Sequence, residues 1–241
     1  MKRSFSFLVL SFLILAFLAA GCSKKDDNPA APAVVTNPGT PPEVPNVGIK
    51  GPSSTSNDPF FLLAKSYFNS LGTFTYYSDM FRNVQAVYSD TGWVRKFLNG
   101  SITATLTSTR LADGSISWKL ILNGTTDSVT YNNWLALEGV SSADGKSGTW
   151  KLFHQNTNLL TGDYSWQKNA DSSITATIRD YNASGTIRTR IEATDKADNS
   201  GQVLVYFYTS LSFKASWLSD GTGQWWTYDS SGNIRHQGTW S

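Results

Sequence analysis

Cysteine is all but missing from this 241-residue chain, with Cys22 the only one. A single thiol closes no intrachain disulfide and builds no multi-thiolate metal site. Histidine is as scarce, represented by His154 and His236 alone, so a histidine-rich metal centre is excluded. No HExxH, CxxC or GxSxG occurs, which removes the signals of zinc peptidases, dithiol redox centres and α/β-hydrolase nucleophiles. Proline is missing from residues 60–241, since all eight prolines fall between Pro29 and Pro59. Tryptophan and tyrosine are missing from residues 1–60, and all nine tryptophans and ten tyrosines lie beyond. An excess of charge is missing too. Without residues 1–21, which carry Lys2 and Arg3, 18 basic residues face 18 acidic ones. A balanced chain has no electrostatic footprint for nucleic acid or an anionic membrane surface.

What is present begins with Lys2 and Arg3, followed by an apolar run from Phe7 to Ala20 and by Leu18-Ala19-Ala20-Gly21-Cys22. A basic start, an apolar core of ~7–15 residues and small residues at a cleavage point form the layout of a secretory signal. The run is too short for a transmembrane helix, which needs ~20 apolar residues. Small residues leading into a cysteine resemble the lipobox of bacterial lipoproteins, although the usual leucine three places before the cysteine is Ala19, with Leu18 one step further out. The resemblance implies removal of residues 1–21 and acylation of the Cys22 thiol and amine. With acyl chains contributing ~0.8 kcal/mol per buried CH₂, such a residue anchors the chain to a membrane. Ser23 stands where inner-membrane-retained lipoproteins often carry aspartate, so the expected location is the outer membrane. Ser23-Lys24-Lys25-Asp26-Asp27 also resembles the charged export tag of surface-exposed lipoproteins.

The proline map divides the remainder. Residues 22–58 read as a lipidated cysteine and a disordered, proline-rich tether without aromatics, with a reach of roughly 33 Å as a flexible coil. Residues 59–241 read as one β domain. Asp58-Pro59 predicts a helix start and Gly72 a helix end, giving a short helix over 59–71 with an apolar stripe at Phe60, Ala64, Tyr67, Phe68 and Leu71. Met80 to Val87 is ambiguous between helix and strand. From Ser101 the hydrophobic period becomes two. Ile174, Ala176 and Ile178, then Ile187 and Ile191, flank the turn Asn182-Ala183-Ser184-Gly185 as a hairpin. Asp113-Gly114, Asp144-Gly145, Asp220-Gly221 and Ser231-Gly232-Asn233 mark further turns. About ten strands are expected, in an all-β antiparallel meander curled into a barrel or half-barrel. The segment 202–208 is apolar on both faces, which calls for a cover on its second side, with the helix as candidate.

A tryptophan follows a turn glycine at Gly114…Trp118, Gly145…Trp150 and Gly221…Trp225-Trp226, and Gly238-Thr239-Trp240 echoes Gly148-Thr149-Trp150. Through these hairpins and the meander topology, residues 101–241 are similar to the lipocalin-like domains of small bacterial lipoproteins.

Catalytic patterns are sparse. Ser165-Trp166-Gln167-Lys168 matches SxxK, but residues three apart on a strand face opposite sides, so no serine–lysine pair is expected. Nothing in the sequence joins Glu138 to Asp163 as a glycosidase pair, and the Asp-Gly pairs lack the ligand spacing of a calcium loop. No catalytic residue, metal or cofactor is therefore assigned, and the chain reads as a non-enzyme. Two binding features remain. Trp217, Trp225, Trp226, Tyr228 and Trp240 form an aromatic group near the C-terminus, with Trp225 and Trp226 on opposite faces. An exposed ring among them would stack on sugar, and the alternative is core filling. Arg179, Arg188 and Arg190 on one hairpin would fork a carboxylate or phosphate if they lined a cavity, and otherwise form a solvated face. The expectation is an outer-membrane lipoprotein anchored through Cys22 that binds a small apolar molecule or a glycan. Its alternatives are a structural or protein-interaction lipoprotein and a half-barrel lipid carrier.

Overall fold

The computed structural model describes residues 39–90, 92–126 and 128–241. Asp58 caps a helix, α1 (Pro59–Arg82), its carboxylate accepting from the backbone N–H of Phe60 at 2.8 Å and of Phe61 at 3.0 Å. Thirteen strands follow: β1 (Val87–Ser89), β2 (Gly92–Asn99), β3 (Ile102–Arg110), β4 (Ile116–Thr125), β5 (Thr130–Ser141), β6 (Ser147–Phe153), β7 (Leu160–Lys168), β8 (Ile174–Tyr181), β9 (Ile187–Asp195), β10 (Gly201–Phe207), β11 (Ser210–Trp217), β12 (Gly223–Tyr228) and β13 (Ile234–Trp240). All pair antiparallel with their sequence neighbours in one sheet of order β1 to β13. Proline's confinement to the first 59 residues is what such a sheet requires, because each proline would remove a ladder donor.

Three expectations change. The sheet is open and not a closed barrel: β1 and β13 stand at its two ends and do not pair. A barrel this large leaves a lumen that strand side chains cannot fill, and here α1 packs on one face instead. The helix does not stop at Gly72 but continues to Arg82. An internal glycine disfavours a helix by ~1 kcal/mol, and the extension places Phe81 in the core against Phe97 of β2, ring centroids 6.4 Å apart. The stretch expected to be tether is packed over part of its length. Val44 and Val47 belong to the core, Pro42, Pro45, Gly51 and Pro52 are buried, and Gly51 lies so close to the Phe68 ring that a β-carbon would stand 2.5 Å from it. This strap is pinned along the sheet. Arg95 Nη2 in β2 donates to the Pro42 carbonyl at 2.7 Å, and the Lys50 N–H donates to Asp195 Oδ2 at the end of β9 at 2.8 Å.

The face beneath α1 and the strap, here called inner, carries the core. Phe61, Ala64, Phe68 and Leu71 are buried, with Phe60 and Tyr67 packed beside them. Large and absent side chains alternate between neighbouring strands. Gly139 pairs with Trp118 and Trp150, Gly148 with Trp166, Gly201 with Trp217, Gly223 with Trp217 and Trp240, and Gly238 with Trp225. A β-carbon on Gly223 would stand 2.2 Å from the Trp240 ring. The Gly/Trp recurrence is thus packing, each indole lying over a neighbouring strand's missing side chain. Turn carbonyls satisfy three of the indoles: Trp166 Nε1 donates to Gly145, Trp217 Nε1 to Asn199 and Trp240 Nε1 to Gly221.

One rim repeats a turn. The links β3–β4, β5–β6, β7–β8, β9–β10 and β11–β12 centre on Asp113, Asp144, Asp171, Asp198 and Asp220, each accepting from the backbone N–H two residues on. Four of the turns read Ala-Asp, at 112–113, 143–144, 170–171 and 197–198. The residue after aspartate takes a positive φ, even where it is Ser172 or Asn199, as a three-residue hairpin loop demands.

Candidate functional site

The outer face is built by the other half of each strand's alternation, and its registers define rows that run across the strands. The row nearest the aspartate rim passes through Ser147, Gln167 and Thr175 in β6 to β8. It continues through Thr194, Gln202, Ser216, Gln224 and Thr239 in β9 to β13. The next row carries Glu192, Leu204, Lys214, Trp226 and Gln237. Two grooves lie along this face. One of about 640 Å³ is lined by Thr194, Gln202, Ser216, Gln224 and Thr239 together with Lys196, Leu218, Trp217 and Trp240. The other, about 520 Å³, holds Ser147, Gln167 and Thr175, with Thr149, Ser165 and Thr177 of the next row and Asp113 of the rim.

The aromatic group divides between the faces. Trp217, Trp225 and Trp240 are core residues. Trp217 meets Phe68 edge-on at 5.5 Å, and Trp225 stacks on Phe60 with centroids 3.6 Å apart. Trp226 points outward, half-buried, with Lys214 Nζ 4.9 Å from its ring, and Tyr228 is half-buried near the end of β12. Of the rings named from sequence, Trp226 is the one set beside the uncharged row, two residues from Gln224 on the same face.

Each arginine of the β8–β9 hairpin has a carboxylate beside it. Arg179 Nη1 bonds Asp163 Oδ1 at 2.8 Å, Arg188 bonds Asp180 at 2.6 Å, and Arg190 Nε lies 2.9 Å from Glu192 Oε1 without hydrogen-bond alignment. Arg190 also covers the Tyr206 ring at 4.0 Å. The three arginines therefore lie on an ion-paired surface. It also answers the question of segment 202–208: α1 covers the Val203 and Val205 face, while Leu204 and Tyr206 on the other face are half-buried beneath side chains. Asp163 additionally accepts from the Tyr181 hydroxyl, and burial with that bond pushes the Tyr181 phenol up to about 12. Burial likewise raises the Asp180 carboxyl in spite of Arg188. Glu138 and Asp163 fall in one row two strands apart, with Lys151 between them. Ser165 and Lys168 take opposite faces of β7, so no serine–lysine pair forms. Among the described residues, no cluster of histidine, aspartate or glutamate could hold a metal ion. Cys22 and the signal segment lie outside the described residues.

Two features were not found from sequence. Arg95 is buried, its Nε and Nη1 without partners, and desolvation lowers its pKa. An alternating strand pattern that includes an arginine gives no sign of which face it takes. The uncharged row depends on register between residues up to 92 positions apart, which no local pattern encodes. The Ala-Asp recurrence, by contrast, stands in the sequence and marks the turns at Asp171 and Asp198 that the Asp-Gly pairs miss.

No protein-family model matches this chain, and no curated protein matches it in sequence.

Proposed function

We propose that the protein is a non-catalytic glycan-binding lipoprotein of the bacterial outer membrane, anchored by acylated Cys22 and presenting its outer sheet face to polysaccharide. The observation that carries this reading is Trp226, a partly exposed indole at the edge of a row of serine, threonine and glutamine side chains. Sugar recognition calls for a flat apolar ring beside neutral donors and acceptors, and Trp226 with Ser216, Gln224 and Gln237 supplies that set. A small apolar ligand is disfavoured because α1 and the strap fill the inner face, where an apolar guest would have to sit.

The same reading takes the open sheet as a half-barrel curled about α1. From Phe60 to Phe81 the helix spans roughly 32 Å at 1.5 Å per residue. In a flat sheet β2 and β12 would stand about 48 Å apart at ~4.8 Å per strand. Phe60 nevertheless stacks on Trp225 of β12 while Phe81 meets Phe97 of β2, which supports curling.

Trp226→Ala is expected to lower retention of the full chain in gels containing soluble neutral polysaccharide, by about tenfold in Kd for the loss of ~1–3 kcal/mol of stacking. Retention equal to that of the native protein would refute the site. Cys22→Ala is expected to move the protein from the membrane to the soluble fraction, and continued membrane fractionation would refute the anchor.

A further inference from the structure

We infer that the outer-face row from Ser147 to Thr239 seats one extended, uncharged polysaccharide chain laid across eight strands; this rests on the glycan reading above and names its ligand class. All eight positions are serine, threonine or glutamine, each both a hydrogen-bond donor and an acceptor and none ionisable. This row is uncharged over all eight strands, whereas the row beside it is uncharged only over β6 to β8, at Thr149, Ser165 and Thr177. The row beside it holds Glu192 and Lys214, and the one beyond holds Lys151, Asp163, Arg179 and Arg190. A merely solvated face has no reason to sort charge by row, because water solvates ions and hydroxyls alike.

Spacing and shape specify the ligand further. Neighbouring members recur at the strand spacing of ~4.8 Å, so the row is roughly 34 Å long, and an extended pyranose chain advances by about one such spacing per sugar. Both outer grooves open along the row, the larger over β9 to β13 and the smaller over its β6 to β8 part. Exposed Leu218 borders the larger groove, giving apolar contact beside the polar row, and Lys196 stands at the groove's rim end; apolar surface beside a few polar groups is the combination that small-molecule sites use. A nucleic acid is disfavoured because a phosphate backbone calls for a cation at successive steps of the track, whereas the row itself supplies none and Lys196 and Lys214 stand only at its side. A peptide strand would add at a sheet edge and not across a face.

The test measures the affinity of the full-length protein in detergent for a neutral β-glucan and a mannan, for oligosaccharides of two to eight sugars cut from them, and for anionic alginate. Intrinsic tryptophan fluorescence and affinity electrophoresis report binding. Expected is tighter binding with each added sugar up to the full row, with alginate weaker than the neutral polymers. The double substitution Gln167→Ala/Thr175→Ala, remote from Trp226, should weaken binding of long chains five- to tenfold, as two lost neutral hydrogen bonds imply, and leave disaccharides and the melting temperature unchanged. Trp226-dependent binding that is indifferent to chain length, or untouched by the double substitution, overturns the extended seat and spares the glycan module. Preference for alginate overturns the neutral class. Failure of the native protein to bind any of these polymers overturns both readings.

Discussion

Trp225 and Trp226 are adjacent in sequence and belong to different surfaces. Trp225 lies on the inner face, 8% exposed and stacked on Phe60 of the helix. Trp226 lies on the outer face, between Lys214 and Gln237 and beside the uncharged row. The same contrast holds across the sheet. The inner face is a mosaic of indoles over glycines, closed by a helix and a strap. The outer face is hydroxyls and amides in one row and ion pairs in another. Stability is concentrated on one side, which leaves the other side free to be shaped for binding.

The most direct way to break that comparison is to truncate each ring. Trp225→Ala should destabilise the protein by about 3–5 kcal/mol, the range for removing a buried aromatic, whereas Trp226→Ala should change stability by less than about 1 kcal/mol. Urea unfolding of the two variants decides, and equal losses would end the division of labour between the faces. A smaller effect is expected from Gly223→Ala. Its methyl would press on the Trp240 ring and on the Ser216 carbonyl, 2.5 Å away, and overpacking of this kind disfavours the fold by ~1–3 kcal/mol. A melting temperature equal to the native one would show that the indoles have room to yield.

The gentlest test uses protons. At the rim, Asp113, Asp171, Asp198 and Asp220 are held below the usual carboxylate range by the Ser or Thr hydroxyl and backbone N–H two residues on. Asp144 is lowered mainly by the Lys146 side chain. Their stabilisation is present above the unfolded value near 3.8 and is lost as pH falls through the lower folded values. Asp195 on the inner side runs the other way. Burial raises its pKa against the Lys50 contacts that lower it, so its contribution improves as pH falls from the raised folded value toward 3.8. Asp195→Asn keeps an acceptor for the Lys50 N–H. It should therefore raise stability near pH 7 relative to the native chain and lose that advantage near pH 3, as read from melting curves across the range. An advantage that persists at pH 3 would mean that the buried charge is not its source.

Local chemistry was legible in the residues themselves. The Asp58-Pro59 start, the alternation of Ile174, Ala176 and Ile178, the turn at Asn182–Gly185 and the opposite faces of Trp225 and Trp226 all follow from near-neighbour geometry, and the structure has each. The helix end was misread because the penalty at Gly72 is local while the burial of Phe81 on β2 is not. The Pro42–Pro52 strap was read as tether because its composition favours disorder, yet Val44 and Val47 find a core that residues 59–241 supply. The strand total was low because short elements such as β1 carry too few residues to show a period.

The amino-acid sequence by itself determined that the chain forms an antiparallel meander, where several of its turns fall, and that it can build neither an intrachain disulfide nor a histidine-rich metal centre. These are properties of spacing and residue type over a few positions. Tertiary structure alone decided that the sheet stays open, that α1 and the strap share its inner face, and that eight scattered serine, threonine and glutamine residues fall into one row. The reason is register: each of these depends on which residues stand opposite one another across many strands, and that is settled only when the glycines and indoles of the inner face interlock.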